Sequence, residues 1–247
     1  MRFDDRITGK PSEFALGSRK IHIDIDPSEI GKNVPVDVPI VGDLKRVLLK
    51  LNKLVAPVTR LEWVQHIELL KRDHPSMFIR PTDKLLPHFI INQLSEATDG
   101  RAIVVTGVGQ HQMSLWSVAG DGGFQMTMAE LATLVENRIN VKFAIINNSF
   151  LGMVRQWQEF FYHKSYVATQ YTHNPDFVKL ADAFGMLGIR VTDKTQVMPA
   201  IMEAMEHDGP ALIDFVVEEE ENVYPMIPAG QTIHDLIEEP LPEGVRQ

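Results

Sequence analysis

Two short tracts carry oxygen ligands at a spacing that suits a cation bound together with an anion. Gly120-Asp121-Gly122-Gly123 closes the apolar run Trp116 to Ala119, and Asn147-Asn148 closes the next run, Phe143 to Ile146. If these runs are neighbouring strands of a parallel sheet, their carboxyl ends open on one crevice, where ligands bind. Asp121 and Asn148 then converge although they lie 27 positions apart with a helix between them. Both offer hard oxygen. With the backbone carbonyl of Phe150 they supply three positions of an octahedral Mg²⁺, leaving room for two phosphate oxygens and a water. Glycines 120, 122 and 123 let the backbone approach a diphosphate closely, and the following helix aims its N-terminus at the same anion. A Gly-Asp-Gly by itself is an ordinary turn. The Asn-Asn pair at the next strand end shifts the reading towards a site.

These tracts need a sheet to hold them, and the hydrophobic pattern predicts one. Apolar strands at Ala102–Thr106, Trp116–Ala119, Phe143–Ile146, Leu187–Val191 and Ala211–Val217 alternate with helices near 84–96, 126–137, 175–184 and 195–207. Near-continuous apolar strands separated by helices imply a parallel sheet covered on both faces, an α/β fold. Ahead of it lie the alternating strand Lys20–Asp26, a β-branched run Val36–Val41, and helices at Leu44–Leu54 and Leu61–Leu70. The proline-bearing stretch between Arg72 and Asp83 marks a boundary, giving domains at 1–74 and 82–247. Met153 and Trp157 stand four apart on a helix, a spacing that a core stripe and a pocket wall share.

Composition narrows the chemistry. There is no cysteine among the 247 residues, which excludes disulfides, thiolate metal sites and Cys nucleophiles and fits a reducing compartment. The net charge of −9 argues against nucleic acid or an anionic membrane as partner. Neither a signal peptide nor an apolar run long enough to span a bilayer is present, so a cytoplasmic location is expected.

Gly120-Asp121-Gly122 followed by Asn147-Asn148 resembles the thiamine diphosphate motif. Val108-Gly109-Gln110-His111-Gln112-Met113 and Leu151-Gly152-Met153-Val154-Arg155-Gln156-Trp157-Gln158 resemble the acetolactate synthase (acetohydroxyacid synthase) catalytic subunit. So do Arg2-Phe3-Asp4-Asp5-Arg6, His22-Ile23-Asp24-Ile25-Asp26 and Pro225-Met226-Ile227-Pro228-Ala229-Gly230. The resemblance implies a thiamine diphosphate-binding domain preceded by the C-terminal part of an α/β middle domain of FAD type. It assigns Mg²⁺ to Asp121, Asn148 and the Phe150 carbonyl, and diphosphate contacts to Gln110 and His111. Leu151, Gly152, Met153 and Val154 would line the cofactor, with Trp157 and Arg6 at the substrate pocket. Asp4, Asp24, Ile25 and Asp43 would contact FAD.

By the same resemblance the substrates are pyruvate and 2-oxobutanoate, the pathway is branched-chain amino-acid biosynthesis, and the assembly is a homo-oligomer with a possible small regulatory subunit. The glutamate that activates the cofactor belongs to an N-terminal domain with no counterpart in this sequence, so no catalytic residue is assigned. Between Met113 and Trp116 the family carries a long segment that Ser114-Leu115 replaces here.

Overall fold

The computed structural model describes residues 3, 5–74, 80–106 and 116–239, in two compact units: Met1–Ser76 with Val223–Gln247, and Met77–Asn222. The first unit contains α1 (Asp5–Thr8), β1 (Ile21–Asp24), β2 (Val38–Val41), α2 (Leu44–Leu51) and α3 (Leu61–Asp73). The second contains α4 (Pro87–Ala97), β3 (Val104–Thr106), β4 (Trp116–Gly120), α5 (Asp121–Gln125), α6 (Leu131–Glu136), β5 (Lys142–Asn147), α7 (Gly152–Phe161), α8 (Phe177–Ala183), β6 (Leu187–Val191), α9 (Lys194–Glu206) and β7 (Ala211–Val216).

In the second unit five strands form one sheet in the order β3-β4-β5-β7-β6, every pair parallel. Side chains alternate across it, as the pleat requires. Ile213 and Phe215 join Trp116, Val118 and Ala144 under α4 and α9, which contribute Ile90, Leu94, Val197 and Ile201. Leu212 and Ile145 face the other way, against Phe124, Leu131, Phe177 and Ala181. Each fully buried Ile, Leu or Phe contributes about 1.5–3 kcal/mol. Both faces are therefore covered, and the expected α/β architecture is present.

Two close fits set how the layers meet. Lys142 opens β5 fully buried, and its ammonium donates to the carbonyls of His207 at 2.8 Å and Gly209 at 2.5 Å. The cation thus sits at the C-terminal end of α9, where a positive charge is favoured. At Gly188 in β6 a Cβ would lie 2.9 Å from the Val178 carbonyl oxygen and 3.0 Å from the Ala181 Cβ. Only glycine lets α8 pack this near the strand. Gly188→Ala is expected to cost about 1–3 kcal/mol in urea unfolding of the second unit. An unchanged midpoint would show that α8 shifts freely.

The sequence pattern differs from the structure at two places. The stretch read as one helix over 126–137 is broken: α5 begins at Asp121 itself, a 3₁₀ turn spans Met128–Glu130, and α6 follows. The tail assigned by sequence to the second domain groups with the first unit, where the Lys10 amide donates to the Gln231 carbonyl at 3.1 Å. In that unit β1 and β2 form a two-stranded parallel sheet. Neither α2 nor α3 buries a residue, and Leu48, Leu49, Trp63 and Val64 are all exposed.

Candidate metal and cofactor site

Strands β4 and β5 are neighbours in register, Gly120 opposite Ile146, so their carboxyl tips adjoin. Asp121 is the first residue of α5, and its side chain is fully buried. Its Oδ2 accepts from Asn174 Nδ2 at 2.7 Å. Its Oδ1 is buried with no hydrogen-bond partner among the described residues. Burial pushes the carboxyl pKa up, and the Asn174 donor with the nearby amides of Gly122 and Ser149 only partly offsets this. A buried carboxylate oxygen left bare is costly unless a cation meets it. Mg²⁺ fits that oxygen.

The β5 tip is shaped by two side-chain turns. Asn147 Oδ1 accepts from the Ser149 amide at 3.3 Å, and Asn148 Oδ1 accepts from the Phe150 amide at 3.2 Å. Ser149 adopts φ 57°, which turns the chain back on itself. An isolated antiparallel bridge then joins Phe150 to Gln170. It uses the Ser149 carbonyl and the Leu151 amide, each bonded at 2.8 Å to Tyr171 and Thr169 respectively. The Phe150 carbonyl stays outside that ladder. Among the described residues no cluster of three His, Cys, Asp or Glu side chains stands ready for a metal. The expected donors, one carboxylate, one amide and one carbonyl, lie on adjoining strand tips, and such a set would suit a hard cation shared with phosphate oxygens.

The glycines divide the work. A Cβ on Gly122 would fall 2.6 Å from the Tyr171 hydroxyl and 2.9 Å from Leu151 Cδ2, so this glycine makes room for two side chains. A Cβ on Gly123 would meet nothing within 4 Å among the described residues. No described side chain there blocks a ligand's approach to the backbone.

Helix α7 has two unlike faces. Arg155 and Gln156 are buried, whereas Met153 is 78% and Trp157 42% exposed. These two are therefore no core stripe. With Val154, Tyr162 and Val167 they line an open groove of about 560 Å³. The Arg155 guanidinium, fully buried, donates to Glu159 at 2.9 Å and to the Asn222 side chain, and lies 6.0 Å from the Phe150 ring and 5.9 Å from that of Tyr166. It ties α7 to the loop that carries Phe150.

Other sequence-selected residues fall elsewhere or outside the description. Asp4, Gln110 and His111 lie outside the described residues, as does the side chain of Arg6. Asp24 ends β1 and Asp43 follows β2, at the carboxyl side of adjacent strands, with Ile25 exposed beside them. Asp43 caps α2 by accepting from the Arg46 amide at 2.9 Å.

Sequence reasoning missed Asn174, Asp214 and Arg190. Asn174 stands before Pro175, a pair that signals a turn and carries no sign of a site. Asp214, in the run Ala-Leu-Ile-Asp-Phe-Val, was the readable signal, because a carboxylate inside a covered strand needs a partner.

Comparison with known proteins agrees with this geometry. Residues 97–215 match the model of the thiamine pyrophosphate enzyme C-terminal TPP-binding domain, and residues 1–51 match the central domain of the same enzymes. An acetolactate synthase large subunit of Corynebacterium glutamicum is 39% identical over 286 residues, covering 95% of this chain and 46% of the relative. Acetolactate synthase isozyme 2 large subunit of Escherichia coli K12 is 33% identical, covering 96% and 50% respectively. Acetolactate synthase 1, chloroplastic, of Oryza sativa subsp. japonica is 35% identical, covering 96% and 45%. The chain thus spans about half the length of these relatives. Across the span shared with the C. glutamicum protein it is about 50 residues shorter, since 95% of 247 residues faces 286. With both domain models in order and homology along nearly its full length, the chain belongs to the thiamine pyrophosphate enzyme family, among the homologues of acetolactate synthase large subunits.

Proposed function

We propose that this chain is the Mg²⁺- and diphosphate-anchoring part of an acetolactate synthase large subunit. The observation that carries this reading is the buried Oδ1 of Asp121, without a partner among the described residues, inside the segment matched as a TPP-binding domain and at a strand tip adjoining that of 147–150. Asp121, Asn148 and the Phe150 carbonyl would hold the cation, and Gly120, Gly122 and Gly123 would admit the diphosphate to the backbone. Gln110 and His111 would reach it from the neighbouring loop, with Leu151 and Gly152 beside it. Met153, Val154 and Trp157 would exclude water and shape the acceptor pocket. Thiamine diphosphate, when bound, supplies an electron sink for decarboxylating a 2-oxo acid.

In this reading pyruvate loses CO₂ and its two-carbon remainder joins a second pyruvate or 2-oxobutanoate, feeding branched-chain amino-acid synthesis. Trp157 would favour the larger acceptor, and Arg6 would stand near it. Asp4, Asp24, Ile25 and Asp43 would contact FAD. Along the sequence the family domains would divide at 1–74 and 82–247, although the segment from Val223 on groups with the first unit, and the chain would work in the cytoplasm in a homo-oligomer. The relatives' designation as large subunits supports a small-subunit partner. No described helix is long and apolar enough to cross a membrane.

Calorimetry with Mg²⁺ and thiamine diphosphate tests the anchoring, and acetolactate formation from pyruvate tests the turnover. Heat with product supports the synthase. A second reading, a binding module without turnover, is favoured by the roughly 50 fewer residues across the shared span. Heat without product at any protein concentration selects it, and absence of heat sinks both.

A further inference from the structure

Asp121 does not hold its orientation alone. Asn174, on the segment leading into α8, spends both hydrogens of its amide nitrogen on the site: one on Asp121 Oδ2 at 2.7 Å and one on Asn147 Oδ1 at 3.1 Å. Its own oxygen accepts from Gln125 Nε2 at 3.1 Å, which links it to α5, the helix that starts at Asp121. Both donors of this amide and one bond at its oxygen are thus directed at the two strand tips and the helix between them.

The far side is anchored as well. Asn147 Nδ2 donates to Asp214 Oδ1 at 2.9 Å in the middle of β7, and Asp214 Oδ2 accepts from Arg190 Nε at 3.1 Å in β6. Arg190 continues to Asp176 Oδ1 at 2.8 Å, and Asp176 caps α8 two residues beyond Asn174. Asn174 and Asp176, at the entry to α8, are therefore both fastened to one polar chain, buried at Asn147 and Asp214 and more exposed at Arg190 and Asp176. Asn147 and Asp214 are buried, so these bonds work in a low-dielectric interior where misplacement is costly.

The consequence for Asp121 is specific. A carboxylate has two equivalent oxygens and can rotate about its last bond. By occupying Oδ2 with a donor, Asn174 fixes which oxygen turns to the protein and which is left bare. We infer that Asn174, braced by Asn147, Asp214 and Arg190, is a positioning residue that presents Asp121 Oδ1 to the divalent cation. The inference rests on the metal-anchoring reading above. Partners that orient metal-binding side chains commonly contribute 10–100-fold to metal affinity.

Mn²⁺ binding in the presence of saturating thiamine diphosphate, followed by the electron paramagnetic resonance of free Mn²⁺, tests this without turnover. Leucine nearly matches asparagine in shape but donates nothing, whereas serine is smaller and donates one bond. A positioning role predicts Mn²⁺ affinity in the order native, Asn174→Ser, Asn174→Leu, with Asn174→Leu weakened roughly 10–100-fold. A packing role predicts the reverse order for the two variants, and that result, or a flat series, overturns the inference. If Asn174→Leu shows no cooperative melting, Asn174→Ser against native decides alone: equal affinity overturns the inference, and weaker affinity at unchanged melting temperature supports it. A native chain that takes up no Mn²⁺ overturns the anchoring reading and this inference together.

Discussion

Asp121→Asn is expected to abolish uptake of Mg²⁺ and thiamine diphosphate while making the metal-free protein more stable. The native carboxylate is fully buried, one oxygen has no partner among the described residues, and burial already pushes its pKa up. Asparagine keeps an oxygen for the Asn174 donor and removes the charge, so thermal unfolding without metal should show a gain of about 0.5–2 kcal/mol. The loss of cation affinity should exceed the roughly 100-fold ceiling for residues that merely orient a ligand. Calorimetry and melting on the same preparation read both effects. Binding within tenfold of native would remove Asp121 from the metal site. A lower melting temperature would show that the carboxylate is a net stabiliser.

Arg155→Met should be the most damaging single change in α7, costing about 3 kcal/mol, because it strips a partly buried acid of its buried cation and leaves only the exposed Lys164 ammonium at 3.4 Å. Glu159 Oε2 receives both Arg155 and the Asn222 amide, each within 2.9 Å. Arg155→Lys should rescue little, since a point ammonium cannot bond Glu159 and Asn222 while lying flat between the Phe150 and Tyr166 rings.

A pH signature accompanies this network. Burial alone would raise the Glu159 pKa, but the donors from Asn222 and Arg155 outweigh it and hold the carboxyl below the ordinary glutamate value. As pH falls, the unfolded chain takes up the proton first, so the stabilisation is complete above the ordinary value of about 4.3 and is lost on acidification through the lower folded value. Urea midpoints measured across that range should fall less steeply in Glu159→Gln than in the native protein. Parallel slopes would contradict the assignment.

The five-stranded sheet was legible because covered parallel strands are nearly all apolar, and all five runs in the second unit became strands. The Gly-Asp-Gly tract and the Asn-Asn pair were legible because strand order placed their ends together. What could not be read is which atoms of those residues are already engaged. Asn147 and Asn148 look alike in sequence, yet Asn147 is committed to Asp214 and Asn174 while Asn148 bonds the amide of its own turn. Pairings such as Asn174 with Asp121, 53 positions apart, depend on loop paths that hydrophobic periodicity does not encode. The break after α5 was missed for a similar reason: residues 126–137 are apolar enough to suit a continuous helix, and a 3₁₀ turn at Met128–Glu130 leaves no mark in hydrophobic periodicity.

The uncovered leucines of α2 and the tryptophan of α3 have a cellular consequence. Chaperones and proteases recognise bare apolar side chains as a sign of damage, and abundance follows that triage. Where nothing covers those side chains, the first unit would set how long the polypeptide survives, while the candidate site lies in the second.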